Sequence, residues 1–327
     1  YSDTTGYKPS REPGQEQDPD RWMPISFAHP DGRPGRFTPP GLTPQWGKVQ
    51  CVGVDDPATF RMPGPPKAGS EQMKKEVDEC IEANATLSLR QKAIVEFMRD
   101  GPRSTGQSGH WLRFAQDLSR RDKFGLDQDV KLFFSIACVV HDAFVVCLSE
   151  KYYWDSSRPY WYVRWFYKGK TVKGYAGPCK GVKRIPAEEW HPYSPDTFVT
   201  PPFPGYPSGH ATASGAASRM LELLAGSDRF EFMAKRRAGE LTEASCTTYE
   251  MQANEGVLAK DIPASREMDL ALPTFSSTAE MAAESRMLGG YHIRVDNEDG
   301  LKLGRKIAVT AWPRYKAYWE GTAPEPK

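Results

Sequence analysis

Three short stretches of this 327-residue chain carry the side chains best suited to chemistry, and they suit one task. The first is Lys151 with Arg158, seven residues apart. On a helix that spacing places them about 20° apart around the axis and two turns from one another, so both can point at one anion. Pro159 is then expected to close that helix. Two cations near a helix C-terminus also suit its dipole, so the pair alone demands no ligand.

The second stretch is PPFPGYPSGH over residues 201–210, followed by the small residues Ala211 to Ala217. A rigid loop feeding a small-residue helix leaves backbone N–H groups free and aims the helix dipole at an anion. Gly209 lets the backbone come close, the Ser208 hydroxyl adds a donor, and His210 stands beside them as a candidate acid–base. A capped helix with a merely structural histidine would read the same way. The third stretch is Ser285 to His292, an arginine, Arg286, with a histidine six residues later across Gly289-Gly290. Each of those glycines costs a helix about 1 kcal/mol, so something there needs backbone proximity. Three cations, a helix start and two histidines together describe a pocket for a tetrahedral oxyanion.

The ordered series Lys-x6-Arg-Pro, Pro-Ser-Gly-His and Ser-Arg-x5-His resembles the signature shared by vanadium-dependent haloperoxidases and type 2 phosphatidic acid phosphatases. Every functional position is filled here. The resemblance runs from residue 105 to residue 310, and Gly109-His110-Trp111, the run from Trp154 to Pro159 and the run from Thr200 to Pro204 are similar to bacterial haloperoxidase segments. It implies that vanadate is the cofactor, held by Lys151, Arg158 and Arg286 with the Ser208 hydroxyl and the Gly209 N–H, and that phosphate can occupy the same site. It further implies that His292 is the vanadium ligand and that His210 bonds the apical oxygen and relays protons. Lys151 would polarise the peroxide for attack by halide, so hydrogen peroxide, halide and a small organic molecule are the implied partners.

The rival reading is a soluble acid phosphatase in which His292 forms a phosphohistidine and His210 protonates the leaving group. A long spacing from His210 to Ser285, the flanking segments and the expected absence of membrane helices favour the haloperoxidase. A plain oxyanion-storage module would need the cations but has no use for the two histidines. Phe203, seven residues before His210, falls where fungal chloroperoxidase-type enzymes have Phe and algal bromoperoxidases have His. Leu148, three before Lys151, stands where the fungal type has Trp, so Phe203 alone carries the halide expectation.

The elements that must position these residues follow from periodicity. Helical spacing begins near Ser70, with Met73, Val77 and Ile81, then Ala93, Ile94 and Phe97, then Trp111 to Leu118 and a long Leu126 to Tyr153 segment. Residues 160–207 read as loop with a hairpin around Tyr167 to Lys173, and helix returns from Gly209 to Leu224. Ser277-x-x-Glu280 reads as a capping box opening a helix toward Leu288, and Asp296 to Trp312 as a last helix stopped or kinked at Pro313. The expectation is an all-α helical bundle of the haloperoxidase/acid phosphatase type with long Pro/Gly-rich loops. Thirteen of 28 prolines fall in the first 66 residues, so residues 1–66 read as an extended arm whose aromatics pack on a helical catalytic domain over 67–327.

With 43 basic and 42 acidic side chains, no surplus charge attracts nucleic acid or an anionic membrane. Leu132 to Leu148 is apolar but holds His141 and Asp142 at its middle, which argues for a buried helix over a span. Asp142, about 180° around the helix from Lys151, is expected to pair with another element. His29, His110, His141 and His191 are expected to be structural. Six cysteines show no zinc or haem pattern. Asn84-Ala85-Thr86 matches a glycosylation sequon. The start at Tyr1 leads us to expect an upstream segment with a signal peptide, favouring a secreted or periplasmic location; a homo-oligomer is expected from the family.

Overall fold

The structure, a computed structural model, describes residues 3–12, 15, 18–101, 104–177, 180–236 and 268–323. Its centre is α4 (Leu126–Trp154), whose Leu132, Ile136, Val139, Val140, Ala143 and Val146 are all buried in the main core. Against it pack α3 (Gly106–Asp122), α6 (Gly209–Ala225) and α8 (Arg294–Glu320), and α7 (Phe275–Leu288) packs on α6 and α8, with α1 (Glu71–Ala85), α2 (Leu89–Met98) and the short α5 (Pro159–Phe166) outside them. The described strands form three separate antiparallel pairs: β1 (Phe27–Ala28) with β2 (Arg36–Phe37), β3 (Thr171–Tyr175) with β4 (Val182–Pro186), and β5 (Arg229–Arg236) with β6 (Met268–Thr274). The helical fold class expected from the sequence is the one found.

The segment Leu126–Phe166 is long and apolar enough to cross a membrane by length and composition. In this fold, 61% of its most apolar stretch is buried against neighbouring elements. Asp142, Glu150 and Lys151 lie buried along it, each with partners from elsewhere in the chain.

The closest helix pairing is α6 on α8, and small residues permit it. A Cβ on Gly304 would lie 2.0 Å from the Thr212 carbonyl oxygen, one on Gly300 2.8 Å from that of Ser208, and one on Gly215 2.6 Å from that of Leu301. The run of small residues after His210 is thus a packing surface as well as a helix start.

Within the described part of the first 66 residues, Trp22, Met23, Ile25, Phe27 and Phe60 are buried. Three carboxylates of the α4 segment hold this part of the chain. Asp142 accepts from the Val52 N–H at 2.7 Å, the Gly53 N–H at 2.6 Å and the Tyr315 hydroxyl at 2.7 Å. Glu150 accepts from the Met62 N–H and pairs with Arg61, while Asp155 takes the Tyr7 hydroxyl and Arg21. Asp142 therefore pairs away from Lys151, as its helical position requires. Asp142→Ala would strand two backbone donors and a tyrosine hydroxyl, and should cost about 3 kcal/mol. A urea melt checks this, since an unmoved midpoint would mean that these bonds do not hold the segment.

Several local expectations are corrected. α4 ends at Trp154, because Asp155 turns left-handed (φ 46°), and Pro159 opens α5 instead of closing α4. Proline's missing N–H and fixed φ suit a first helical turn. α7 starts at Phe275, since Thr274 is the capping residue and exchanges bonds with Ser277, while Glu280 pairs with Arg305. α8 runs through Pro313 to Glu320. The carbonyl that Pro313 cannot serve belongs to Val309, which is 51% exposed and can be solvated. The hairpin is centred later than expected, on residues 171–186. Asn84 of the sequon is buried, its amide group bonding Leu288 and Tyr175. Cys51, Cys80, Cys138 and Cys147 are free thiols, and Cys179 and Cys246 lie outside the described residues.

Candidate active site

Lys151 and Arg158 reach the site from two elements, not from one helix face. Lys151 sits in the last turn of α4, and Arg158 is the residue that caps α5. Both then grip the loop that carries the Pro-Ser-Gly-His run. The Lys151 ammonium donates to the carbonyls of Pro204 (2.9 Å) and Gly205 (2.6 Å). Arg158 donates to those of Phe203 (2.8 Å), Pro204 (3.2 Å) and Tyr291 (3.0 Å), and its guanidinium lies 3.3 Å from His292 Nε2. The Phe203 ring lies beneath both cations, 5.1 Å from Lys151 Nζ and 5.2 Å from Arg158 Cζ to its centroid.

The loop ends where α6 begins. Ser208 caps that helix and is tied to the first turn of α8 through its N–H, which donates to the Asp296 carbonyl at 2.9 Å. A Cβ on Gly209 would stand 3.8 Å from Lys151 Cε, so the first residue of α6 packs against the lysine side chain. Lys151, Phe203, Gly209, His210 and His292 line one cavity of about 380 Å³. Arg158, Ser208 and Arg286 are buried and are not among its lining residues. The structure thus brings all the residues singled out for the pocket into one neighbourhood, five of them on the cavity wall and three behind it.

The histidines have defined tautomers. His292 Nδ1 lies 2.8 Å from the Asp296 carboxylate, so Nδ1 carries the proton and Nε2 presents its lone pair toward Arg158 and the cavity. His210 Nε2 lies 3.0 Å from the Arg99 carbonyl, which can only accept, so Nε2 holds the proton and Nδ1 accepts from the Gln107 amide at 2.8 Å. Both rings are neutral. Burial pushes each far below the usual histidine range, with Arg286 adding to the effect at His210 and Arg158 at His292.

Electrostatically the site asks for an anion. Burial pushes the Lys151 ammonium down, and Arg158 and Arg286 push the same way. Burial lowers Arg158 to about 9 and Arg286 to about 10, so both guanidiniums remain cationic at neutral pH. Asp296 is pushed up by the same burial, against the pull of Lys151 and Arg158. Arg286 stacks on the Tyr291 ring (4.2 Å), and its Nε and one terminal nitrogen are buried without a hydrogen-bond partner among the described residues. An unpaired buried guanidinium is costly, and a tetrahedral oxyanion supplies both the charge and the acceptors that it lacks. The donor set therefore fits vanadate or phosphate.

Sequence reasoning missed Asp296, Gln107, Arg99 and Tyr291. Asp296 lies four residues after His292, a spacing absorbed into the helix-start reading. Gln107 and the Arg99 carbonyl reach His210 across more than 100 residues, and nothing local marks them. Asp296→Asn should weaken oxyanion binding about 10–100-fold by releasing the His292 ring. Titration of the protein with orthovanadate by calorimetry measures it, and an unchanged affinity would remove Asp296 from this role.

Of the other histidines, His110 pairs with Asp100, His141 with Asp142 and His191 with Asp196, while His29 stacks on Phe37. His141 also lines the active cavity, as do Leu148 and Trp46. An indole is thus present beside Leu148 after all, supplied by the N-terminal segment instead of by α4.

Comparison with known proteins places the fold. A family model described as the VCPO second helical-bundle domain matches residues 131–321. No curated protein matches the chain. Among solved structures, a holo-type bacterial vanadium-dependent chloroperoxidase matches with a TM-score of 0.82 at 22% identity, over 98% of this chain and 66% of that one. An apo-type bacterial vanadium-dependent chloroperoxidase gives 0.83 at 22% identity, over 98% and 68%. A bacterial vanadium-dependent iodoperoxidase gives 0.63 at 23% identity, over 92% and 62%. The chain spans about two thirds of the length of these proteins, and at such identities the likeness speaks for the fold.

Proposed function

The chain belongs to the family of the VCPO second helical-bundle domain, and from that premise we propose that it is a vanadium-dependent haloperoxidase, oxidising halide with hydrogen peroxide to hypohalous acid that halogenates organic molecules. The observation that carries the reading is the buried Arg286 guanidinium, two of whose nitrogens have no hydrogen-bond partner among the described residues, in the same site as Lys151, Arg158 and the lone pair of His292. Vanadate, when bound, supplies a Lewis-acidic centre that activates peroxide toward a halide.

The chain's own residues do the rest. Lys151, Arg158 and Arg286 neutralise the oxyanion, and the Ser208 hydroxyl and Gly209 N–H add donors at the start of α6. His292 Nε2 is the ligand atom, held in place by Asp296. His210 is the acid–base group beside the oxyanion, and its Nδ1, which accepts from Gln107 in this structure, takes up and returns a proton only when that bond opens. Lys151, anchored on the Pro204 and Gly205 carbonyls, places its charge where negative charge builds up as the halide attacks. Phe203, with the apolar wall of the cavity, thins the water around the halide.

Apo protein supplied with orthovanadate, peroxide and bromide should brominate monochlorodimedone, with p-nitrophenyl phosphate hydrolysis run in parallel. Phosphate hydrolysis without vanadate-dependent bromination would overturn this reading in favour of the phosphatase.

A further inference from the structure

A second, larger cavity of about 770 Å³ lies next to the active one. Leu42 lines both, and Pro201 faces one while Pro202 faces the other. Arg99 belongs to both neighbourhoods, lining the larger cavity while its guanidinium bonds Tyr291 and its carbonyl accepts from His210 Nε2.

The walls of the larger cavity are aromatic. Phe27 and Phe37 come from the N-terminal segment, Phe97 from α2 and Phe198 from the loop before the Pro-Ser-Gly-His run. Phe27 makes ring contacts with both Phe37 (5.9 Å) and Phe198 (5.8 Å), so the wall is continuous. Two cations stand in it, Arg99 and Arg236, the latter with its guanidinium 5.9 Å from the Phe97 ring centroid. Each has one buried guanidinium nitrogen without a hydrogen-bond partner among the described residues. The acids on the same wall are engaged, Glu96 accepting from the Tyr193 hydroxyl at 2.8 Å and Asp100 pairing with His110 at 3.0 Å. The unmet demand is therefore for an anionic acceptor on a ring-lined wall whose own carboxylates are already engaged.

We infer that this cavity is the binding site of the organic acceptor, and that the acceptor is an aromatic acid, an electron-rich arene carrying a carboxylate or phenolate. The volume suits two or three fused rings. Phenylalanine faces stack the arene, and Arg99 and Arg236 take its charged group. The inference rests on the haloperoxidase reading for its reaction. Hypohalous acid leaving the neighbouring cavity gives its halogen to a ring carbon. That carbon loses its proton, hydroxide leaves, and the products are an aryl halide and water. Binding of the arene beside the source would give one regioisomer where free hypohalite gives several.

The test uses the full chain and 6-hydroxy-2-naphthoate, followed by fluorescence anisotropy, with its neutral methyl ester as the control. The naphthoate should bind saturably and the ester about tenfold more weakly or worse. Arg236→Gln and, separately, Phe37→Ala should each weaken the naphthoate about tenfold, with Arg236→Lys recovering part of the loss. Vanadate-dependent triiodide formation from iodide needs no organic acceptor and should be unchanged in Arg236→Gln. Equal binding of acid and ester, or of wild type and both variants, with triiodide formation intact, would overturn the inference and leave the haloperoxidase reading standing. Charge-dependent naphthoate binding without any triiodide formation would instead overturn the haloperoxidase reading and, with it, the acceptor role.

Discussion

His292→Ala should lose vanadate-dependent halide oxidation by about 1000-fold or more, while the protein stays folded. The magnitude follows from what the ring does in this site. Its Nε2 lone pair lies 3.3 Å from Arg158 among the site's cations, with its tautomer fixed by the Asp296 bond at 2.8 Å. Removing a preorganised group of this kind typically costs 10²–10³ in rate, and a group that also ligates costs more, roughly. His292 is buried but makes its side-chain bonds only to Asp296 and Arg158, both of which keep other partners or backbone support. Orthovanadate affinity, halide oxidation and a urea midpoint should be measured on the same sample. Retention of full activity would refute the ligand assignment. Loss of activity with unchanged vanadate affinity would move His292 from ligand to a purely kinetic role.

Gly304→Val should be the most damaging single change away from the pocket. A Cβ at residue 304 would stand 2.0 Å from the Thr212 carbonyl oxygen and 2.7 Å from the Ala216 amide nitrogen, both backbone atoms of α6 that no rotamer change can move aside. Overpacking commonly costs 1–3 kcal/mol, and a clash between two helix backbones belongs at about 3 kcal/mol or above. For a chain of this size that lowers the melting temperature by roughly 6 °C or more. Because α6 opens at Ser208, separating it from α8 also displaces Gly209 and His210, so halide oxidation should fall with stability. Gly226→Ala gives the comparison: that glycine caps the C-terminus of α6, a Cβ there would meet no atom within 4 Å, and only its positive φ opposes the change. Equal melting temperatures for wild type and Gly304→Val would refute the account of the seam.

Much of the pocket was legible because its chemistry is carried by residue type. Cations, histidines and glycines at fixed spacings cannot be exchanged freely, so the three stretches stood out before any element was placed. What misled was geometry at boundaries. Lys151 and Arg158 converge through a left-handed turn at Asp155 and a new helix start, whereas a single helix would have put them together by periodicity; the same convergence came from two different backbones. Pro159 and Pro313 illustrate the limit in opposite ways, since proline tolerates a first turn and also an exposed position late in a helix. The outer groups, Asp296, Gln107 and the Arg99 carbonyl, were hidden because their role exists only when distant parts of the chain meet. The second cavity was equally hidden, since its four phenylalanines come from three separate segments.

The three carboxylates on and just beyond α4 bear on how far the protein can be divided. Asp142, Glu150 and Asp155 are buried, and their partners are Val52, Gly53, Met62, Arg61, Tyr7 and Arg21. A chain cut back to residue 67 would leave an acidic, unshielded strip along the central helix and would open both cavities, which take Leu42 from the missing part. The proline-rich stretch that reads as an arm is therefore masonry: minimal versions of this protein have to be shortened elsewhere.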